Sequence, residues 1–460
     1  MNPLLCQMVL ASTLWMADDP TAVMELRYSG SLFSAAKGED GEAVKRFNLF
    51  CLVMPREPSG TEIAYVLEER GGGGWAWPER YGFVAVEPEA EAPPAKTIQL
   101  LHDHNGVMHP LALPLPLFEN FAKVKEEAKW TEGKFEYEVQ GRDKVKDREC
   151  WLVECSTNFG KAKSLAVEAD TGIVVALKQR VFMGQGDQFS LLMDLESAQP
   201  VSAENWQRFQ APLATLRKIQ TDLKRSEQNT EPELTEEQLT VAEPLLSQLE
   251  TEADDTPFSR LSSVISRDVK SQLRRAGDVS ELAKKFVGQP TPDFSIKSLD
   301  QKSFSSTDLA DKTIVLHFWE YQGEPLIEPY GQVGYLDFLH SKRSKSGTQV
   351  IGVAIDPRLE KNDQRGEALR SIRKLQSFMN LSYPIGVDAG SLLEKFGDPR
   401  ASGAKLPLWV VIAPGGKIVH YHVGYYSINP DEGLRVLDES VVDAIKAQRE
   451  QEKKTKKKVK

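Results

Sequence analysis

Thiols are scarce in this chain: four cysteines occur in 460 residues, at positions 6, 51, 150 and 155, and none follows Cys155. Everything after that point therefore offers no sulfur nucleophile, redox dithiol or thiolate metal ligand of its own. Four widely spaced sulfurs also make a poor ligand set, so neither a metal nor another cofactor is expected. Positive charge is in deficit, with 57 Lys and Arg against 67 Asp and Glu and a net charge of -10. That balance argues against a nucleic-acid partner, which needs a basic face to neutralise phosphates. Beyond the first residues there is no apolar run of about eighteen or more, so no later segment reads as a membrane-spanning helix. Gly71 to Gly74 leads into Trp75-Ala76-Trp77-Pro78 and not into Gly-Lys-Ser/Thr, which excludes a phosphate loop. It reads as a flexible loop ending in aromatic anchors, with a contact surface or glycan platform as the alternative.

The chain opens with a moderately apolar run over residues 1–17, ending in Ala17 before Asp18-Asp19. This predicts a secretory signal cleaved near Ala17 and an exported protein of the periplasm or cell envelope, although the usual basic residues before the run are missing. A misplaced start codon, or a cytoplasmic protein with an apolar start, would give the same pattern. Cleavage would remove Cys6 and leave three cysteines. Cys150 and Cys155, five residues apart on one predicted strand, point to opposite faces and are not expected to pair. A bridge from Cys51 to one of them and three buried free thiols both stay open. Residues 448–460 form a basic tail closing on Lys453 to Lys460. It reads as a solvated chain end, with peripheral contact to an anionic surface as the sharper alternative.

The length suits about three domains. Over residues 22–200, strand-like runs alternate with turn residues, at 24–32, 46–54, 61–69, 82–86, 97–102, 133–139, 150–156, 162–168, 172–181 and 188–195. Short connections imply antiparallel pairing, hence an all-β domain in which a curved, half-barrel-like sheet packs around one apolar face. The stretch from Glu149 to Gly172 weakly resembles lipoprotein-carrier sheets. His102-Asp103-His104 with His109 looks like a ligand cluster, but Asn105-Gly106 signals a hairpin and predicts an exposed turn instead. His420-Tyr421-His422 is read in the same way.

Over residues 202–286 the period becomes helical. Trp206, Phe209, Leu213, Leu216, Ile219 and Leu223 make one stripe, and Phe258, Leu261, Ile265, Val269 and Leu273 another. Thr235 to Gln238 reads as a capping box opening a helix between them, while Pro232, Pro244 and the run from Asp254 to Pro257 punctuate the region. A small bundle of three antiparallel helices is expected.

The most informative segment is TIVLHFWEYQGEPL, Thr313 to Leu326. A buried strand, Thr313 to Trp319, runs into a helix marked by Pro325. The segment resembles the active-site corner of thioredoxin-like proteins, whose redox members read F-W-x-x-x-C-x-P-C. Phe318, Trp319 and Pro325 match, but Gly323 and Leu326 stand at the two cysteine positions. Gly288 to Phe294 resembles the G-x-x-x-P-D-F opening of the redoxin superfamily, which includes the alkyl hydroperoxide reductase / thiol-specific antioxidant group and exported thiol-disulfide oxidoreductases. The resemblance covers about residues 287–447. It implies an α/β thioredoxin-like fold in which Leu406-Pro407 occupies the place of the family's cis proline. A peroxiredoxin would need a Thr and a Cys near the start of the same helix, and Tyr321 to Pro329 has neither.

Three functions follow. In the first, the domain is redox-inactive and binds a protein or peptide in a groove formed by Trp319, Glu320, Tyr321, Gln322, Glu324 and Pro325 with Leu406 and Pro407, no residue being catalytic. In the second, it is a thiol-disulfide oxidoreductase or antioxidant protein that uses cysteines outside the usual motif. In the third, the β-domain carries an apolar ligand or lipoprotein segment. Glu320, Glu324 and Glu328 also suit a purely local role, as carboxylates favoured at a helix N-terminus.

Overall fold

The computed structural model describes residues 23–35, 41–56, 60–70, 80–86, 97–105, 107–223, 233–321, 332–429 and 431–458, the side chains of 236 and 451–458 excepted. Two compact units emerge, Met1–Lys270 and Ser271–Lys460. The fold is that of a multidomain protein: a large antiparallel sheet, helices in the middle of the chain, and a C-terminal α/β unit.

In the first unit the long strands β1 (Met24–Ser34), β2 (Lys45–Pro55), β3 (Thr61–Arg70) and β4 (Tyr81–Val86) are joined to β7 (Lys129–Glu132), β8 (Phe135–Val145), β9 (Arg148–Thr157), β10 (Gly160–Glu168), β11 (Val174–Met183) and β12 (Asp187–Pro200). They form one ten-stranded antiparallel sheet in the order β4-β3-β2-β1-β12-β11-β10-β9-β8-β7. A separate hairpin, β5 (Ile98–His104) and β6 (Val107–Leu113), adds Ile98, Leu100, Leu111 and Leu113 to the same apolar core. Alternation explains the burial. On β3, Ile63, Tyr65 and Leu67 enter that core, while Glu62 and Glu68 turn to the helices, where Arg217 holds Glu62 at 2.9 and 2.7 Å and Arg260 holds Glu68 at 2.7 Å. Phe50 of β2 likewise meets Phe258 edge-on at 5.8 Å. With both faces covered, the middles of β2 (Leu49 to Met54) and β3 (Ile63 to Leu67) are apolar runs. Gly30 of β1 is required by packing, since a Cβ there would lie 2.1 Å from the Phe47 ring and 2.7 Å from the Leu192 carbonyl oxygen.

The hairpin signalled by the sequence forms, but the exposure expected of its histidines does not hold for His102. Only Asn105, with φ 55, is seen in the turn, and Gly106 lies outside the described residues. His102 is buried within β5 and paired with His109 of β6. Strands β6 and β7 were not anticipated, because Pro110 and the short, polar run Lys129–Glu132 carry weak strand signals.

Helix α1 (Ala203–Asp222) is capped by Ser202, which accepts from Asn205 N at 3.2 Å. Helix α2 (Glu236–Glu252) opens with the anticipated capping box: Gln238 N donates to Thr235 Oγ1 at 3.2 Å and Thr235 N to Gln238 Oε1 at 3.1 Å. Pro244 does not break α2, nor Pro212 α1. Helix α3 (Ser259–Phe286) contains the boundary between the two units. Phe209, Leu213, Leu216 and Ile219 of α1, and Leu261, Ile265 and Val269 of α3, are buried, as the stripes require. No described helix is long and apolar enough to cross a membrane.

The second unit has a small hairpin, β13 (Ser295–Lys297) with β14 (Ser303–Ser305), and a five-stranded sheet. Its strands are β15 (Thr313–Glu320), β16 (Thr348–Ile355), β17 (Ile385–Asp388), β18 (Leu408–Ala413) and β19 (Lys417–Val423), in the order β17-β16-β15-β18-β19. Strands β15, β16 and β17 run parallel, and β18 pairs antiparallel with β15. The apolar residues of β15, interrupted by buried His317, serve two cores. Val315 and Trp319 pack with α4 (Val333–Arg343), α5 (Arg365–Phe378) and α7 (Arg435–Lys458), whereas Ile314, Leu316 and Phe318 pack with Leu392 and Leu393 of α6 (Ser391–Lys395). Helix α7 extends over the basic run as far as Lys458.

Candidate functional site

A parallel strand set concentrates loops at the carboxyl ends of its strands, where ligands of α/β folds bind. Here those ends carry Glu320 at the end of β15 with Tyr321 after it, Asp356 after β16 and Asp388 at the end of β17. The Leu406-Pro407 bond beside them is cis, and Leu408 pairs with Phe318. Both Leu406 and Pro407 are buried, as is Trp319. Among the described residues the Trp319 indole Nε1 has no hydrogen-bond partner. Tyr321 is mostly buried, and its hydroxyl donates to the Ser371 carbonyl at 3.1 Å. Among the described residues singled out for a groove, Glu320 presents the most polar surface, its side chain 41 % exposed. Gln322, Gly323, Glu324, Pro325 and Leu326, with Glu328, lie outside the described residues.

Two Asp-Pro-Arg segments, not singled out from the sequence, flank this strand end. In Asp356-Pro357-Arg358 the carboxylate accepts the Arg358 backbone N–H at 2.9 Å, Nε at 3.0 Å and Nη2 at 2.7 Å. In Asp398-Pro399-Arg400 the corresponding distances are 2.9, 3.0 and 2.6 Å. Each aspartate caps a short 3-10 turn whose first residue is proline, so backbone and guanidinium are fixed by one carboxylate. The signal was legible as a repeated tripeptide. Arg400 also donates to Glu320 at 2.7 Å. Burial opposes the Asp398 carboxylate, but the hydrogen bonds from Arg400 outweigh it and hold its pKa below the usual range. Gln332, buried just before α4, ties that helix start to Tyr426: its Nε2 donates to the Tyr426 carbonyl at 2.7 Å and its Oε1 accepts Tyr426 N at 3.0 Å.

The family model described as AhpC/TSA matches residues 287–421. The C-terminal unit carries a redoxin domain of thioredoxin-like fold. A search of curated proteins gives no match. Among solved structures, the redoxin domain is similar to a thiol:disulfide interchange protein of the thioredoxin family from Chlorobium tepidum, 19 % identical over 34 % of this chain and 97 % of that one, with a TM-score of 0.28. It is also similar to a secreted disulfide oxidoreductase of Mycobacterium tuberculosis (16 %, 33 % and 95 %, TM-score 0.25) and to an exposed lipoprotein thioredoxin of Streptococcus pneumoniae (19 %, 34 % and 99 %, TM-score 0.25).

The redoxin domain itself contains no cysteine. Cys51, Cys150 and Cys155 are free and buried in the core of the first unit. Burial pushes all three thiols up from their ordinary pKa, Cys51 furthest. A thiol shielded in this way is a poor nucleophile. Among the described residues no group of three or more His, Cys, Asp or Glu is placed to hold a metal ion. His420, half-buried, bonds Tyr426 through Nε2 at 2.6 Å and Ser440 through Nδ1 at 3.3 Å, while His422 stacks on Tyr426 at 4.2 Å. Their partners are those of a packed polar cluster.

Proposed function

We propose that the redoxin domain is a non-catalytic binding module that holds an extended peptide, or a loop of a protein partner, at the Glu320 end of its sheet. The observation that carries this reading is the absence of any accessible thiol among the described residues. Gly323 and Leu326 occupy the family's cysteine positions, and the three described cysteines are buried with raised pKa. Disulfide exchange and peroxide reduction both start from a thiolate, and neither glycine nor leucine supplies one. What remains at the strand end is recognition chemistry: a half-exposed carboxylate on Glu320, an arginine fixed against it, and the backbone around cis Pro407. The apolar start of the chain supports export to the periplasm or cell envelope as part of the same reading.

The test uses the full chain carrying Cys6→Ser. Insulin reduction and peroxide consumption should equal a protein-free control, and peptides selected from a displayed library should bind about tenfold more weakly to Glu320→Lys. Turnover that disappears when Cys51, Cys150 and Cys155 are changed to Ser would instead establish a thiol enzyme working through cysteines outside the motif.

A further inference from the structure

The turn between β9 and β10 presents Phe159 with 87 % of its surface exposed, and Phe182 on neighbouring β11 is 54 % exposed. Phe159 is not on a slack loop. Its N–H donates to Thr157 Oγ1 at 3.2 Å, its carbonyl accepts Arg180 Nη2 at 2.8 Å, and Gly160 takes the positive φ of 88 that closes the turn. Fixing the backbone so that an aromatic ring faces water gives the isolated protein nothing; it pre-organises contact with an apolar phase.

The same end of the sheet holds a cleft of about 690 Å³ lined by Phe135, Phe159 and Phe182 together with Lys134, Lys163 and Arg180. Its lining has three cations and one carboxylate, Glu136, in a chain whose net charge is -10. Glu119 interacts electrostatically with Lys163 from nearby. The cations lie against rings: Lys163 is 5.4 Å from Phe135 and 5.3 Å from Tyr137, Lys134 is 5.5 Å from Phe135, and Arg180 is 5.5 Å from Phe182. Aromatic rings interleaved with cations match the boundary between lipid headgroups and acyl chains. A small amphiphile inside the cleft would meet only the part of Phe159 that lines it, whereas a surface covers the rest of a ring that is 87 % exposed.

We propose that this end of the β-sheet docks peripherally on an anionic lipid bilayer, with Phe159 and Phe182 entering the headgroup–acyl boundary and Lys134, Lys163 and Arg180 meeting lipid phosphates. The experiment is co-sedimentation of the full chain with phosphatidylcholine vesicles, with and without roughly one-third phosphatidylglycerol. Binding should require the anionic lipid, weaken at about 0.5 M salt, and fall about tenfold in Phe159→Ser. That variant should keep the native circular dichroism, because the ring makes little packing contact. Three results overturn the proposal: no vesicle binding, equal binding to pure phosphatidylcholine, or unchanged binding by the double variant Phe159→Ser, Phe182→Ser. So does loss of binding on changing Lys453, Lys454, Lys456, Lys457 and Lys458 to Gln while Phe159→Ser still binds, since that assigns the contact to the C-terminal run. Tight uptake of dodecyl phosphate monomers without vesicle binding would make the cleft a ligand pocket and equally overturn it.

Discussion

Arg400 reaches across 80 positions of sequence to place Nη1 2.7 Å from Glu320 Oε1, while its other nitrogens hold Asp398. One guanidinium thereby ties the last residue of the central strand to the turn that leads into Leu406-Pro407. The strand end thus carries an ion pair, Arg400–Glu320, next to the buried cis Leu406-Pro407 turn.

Replacing Arg400 by Ala should cost about 1–2 kcal/mol at neutral pH, a figure discounted because the pair is partly exposed. Lys should recover only part, since it lacks the planar fork that serves Asp398 and Glu320 together. The pH dependence has a definite sign. Asp398 has a depressed pKa when folded, so its contribution is complete above the unfolded carboxylate value near about 4 and disappears as pH falls through the folded value. Urea melts of wild type and Arg400→Ala at neutral pH and near pH 3 should show the gap closing on acidification.

The thiols give a chemical test. In the Cys6→Ser background, Ellman's reagent at mild alkaline pH should label little until denaturant is added, and then three cysteines, because Cys51, Cys150 and Cys155 are buried. A stoichiometric fast phase in the native protein would contradict the buried, unreactive state on which the non-catalytic reading rests.

His420 should titrate far from an ordinary histidine. Burial, and then neighbouring His422, lower its pKa to about 4. Between the unfolded value near about 6.5 and the folded value near 4 the unfolded chain binds the extra proton, so stability falls as pH falls across that window. The slope approaches about 1.4 kcal/mol per pH unit for one proton. An NMR titration should find the His420 ring resonance unmoved above pH 5, and His420→Gln should flatten the stability slope.

Legibility in the sequence tracked the physical strength of each signal. β15 and β16 are buried on both faces and read as continuous apolar runs, and the Thr235 box names its own helix start. The hairpin of β5 and β6 was signalled by Asn105-Gly106, but Pro110 obscured its second strand, which the core demands through Leu111 and Leu113, and with it the burial of His102. At the candidate site, Glu320 and Pro407 were reached through the family pattern. Arg400 was not, because its role arises from a contact between residues far apart in the chain. Trp319, reached by the same pattern, is 1 % exposed and packs in the core.

The buried pair Lys45–Glu69 offers the sharpest stability test. Their side chains are 1 % and 6 % exposed and 2.9 Å apart. Lys45 also donates to the Leu101 carbonyl, and Glu69 accepts the Leu101 N–H at 3.2 Å. The two charges thus satisfy the backbone of β5 where it meets β2 and β3. Removing one charge leaves the other desolvated without its counter-ion, so Lys45→Met should cost about 3–5 kcal/mol. The double variant Lys45→Met, Glu69→Gln removes both charges and keeps a donor and an acceptor near Leu101, so it should recover at least half of that loss. Chemical denaturation of the four proteins of the cycle measures the coupling directly. Additive losses, with no recovery in the double variant, would mean that the pair is not what holds the hairpin to the sheet.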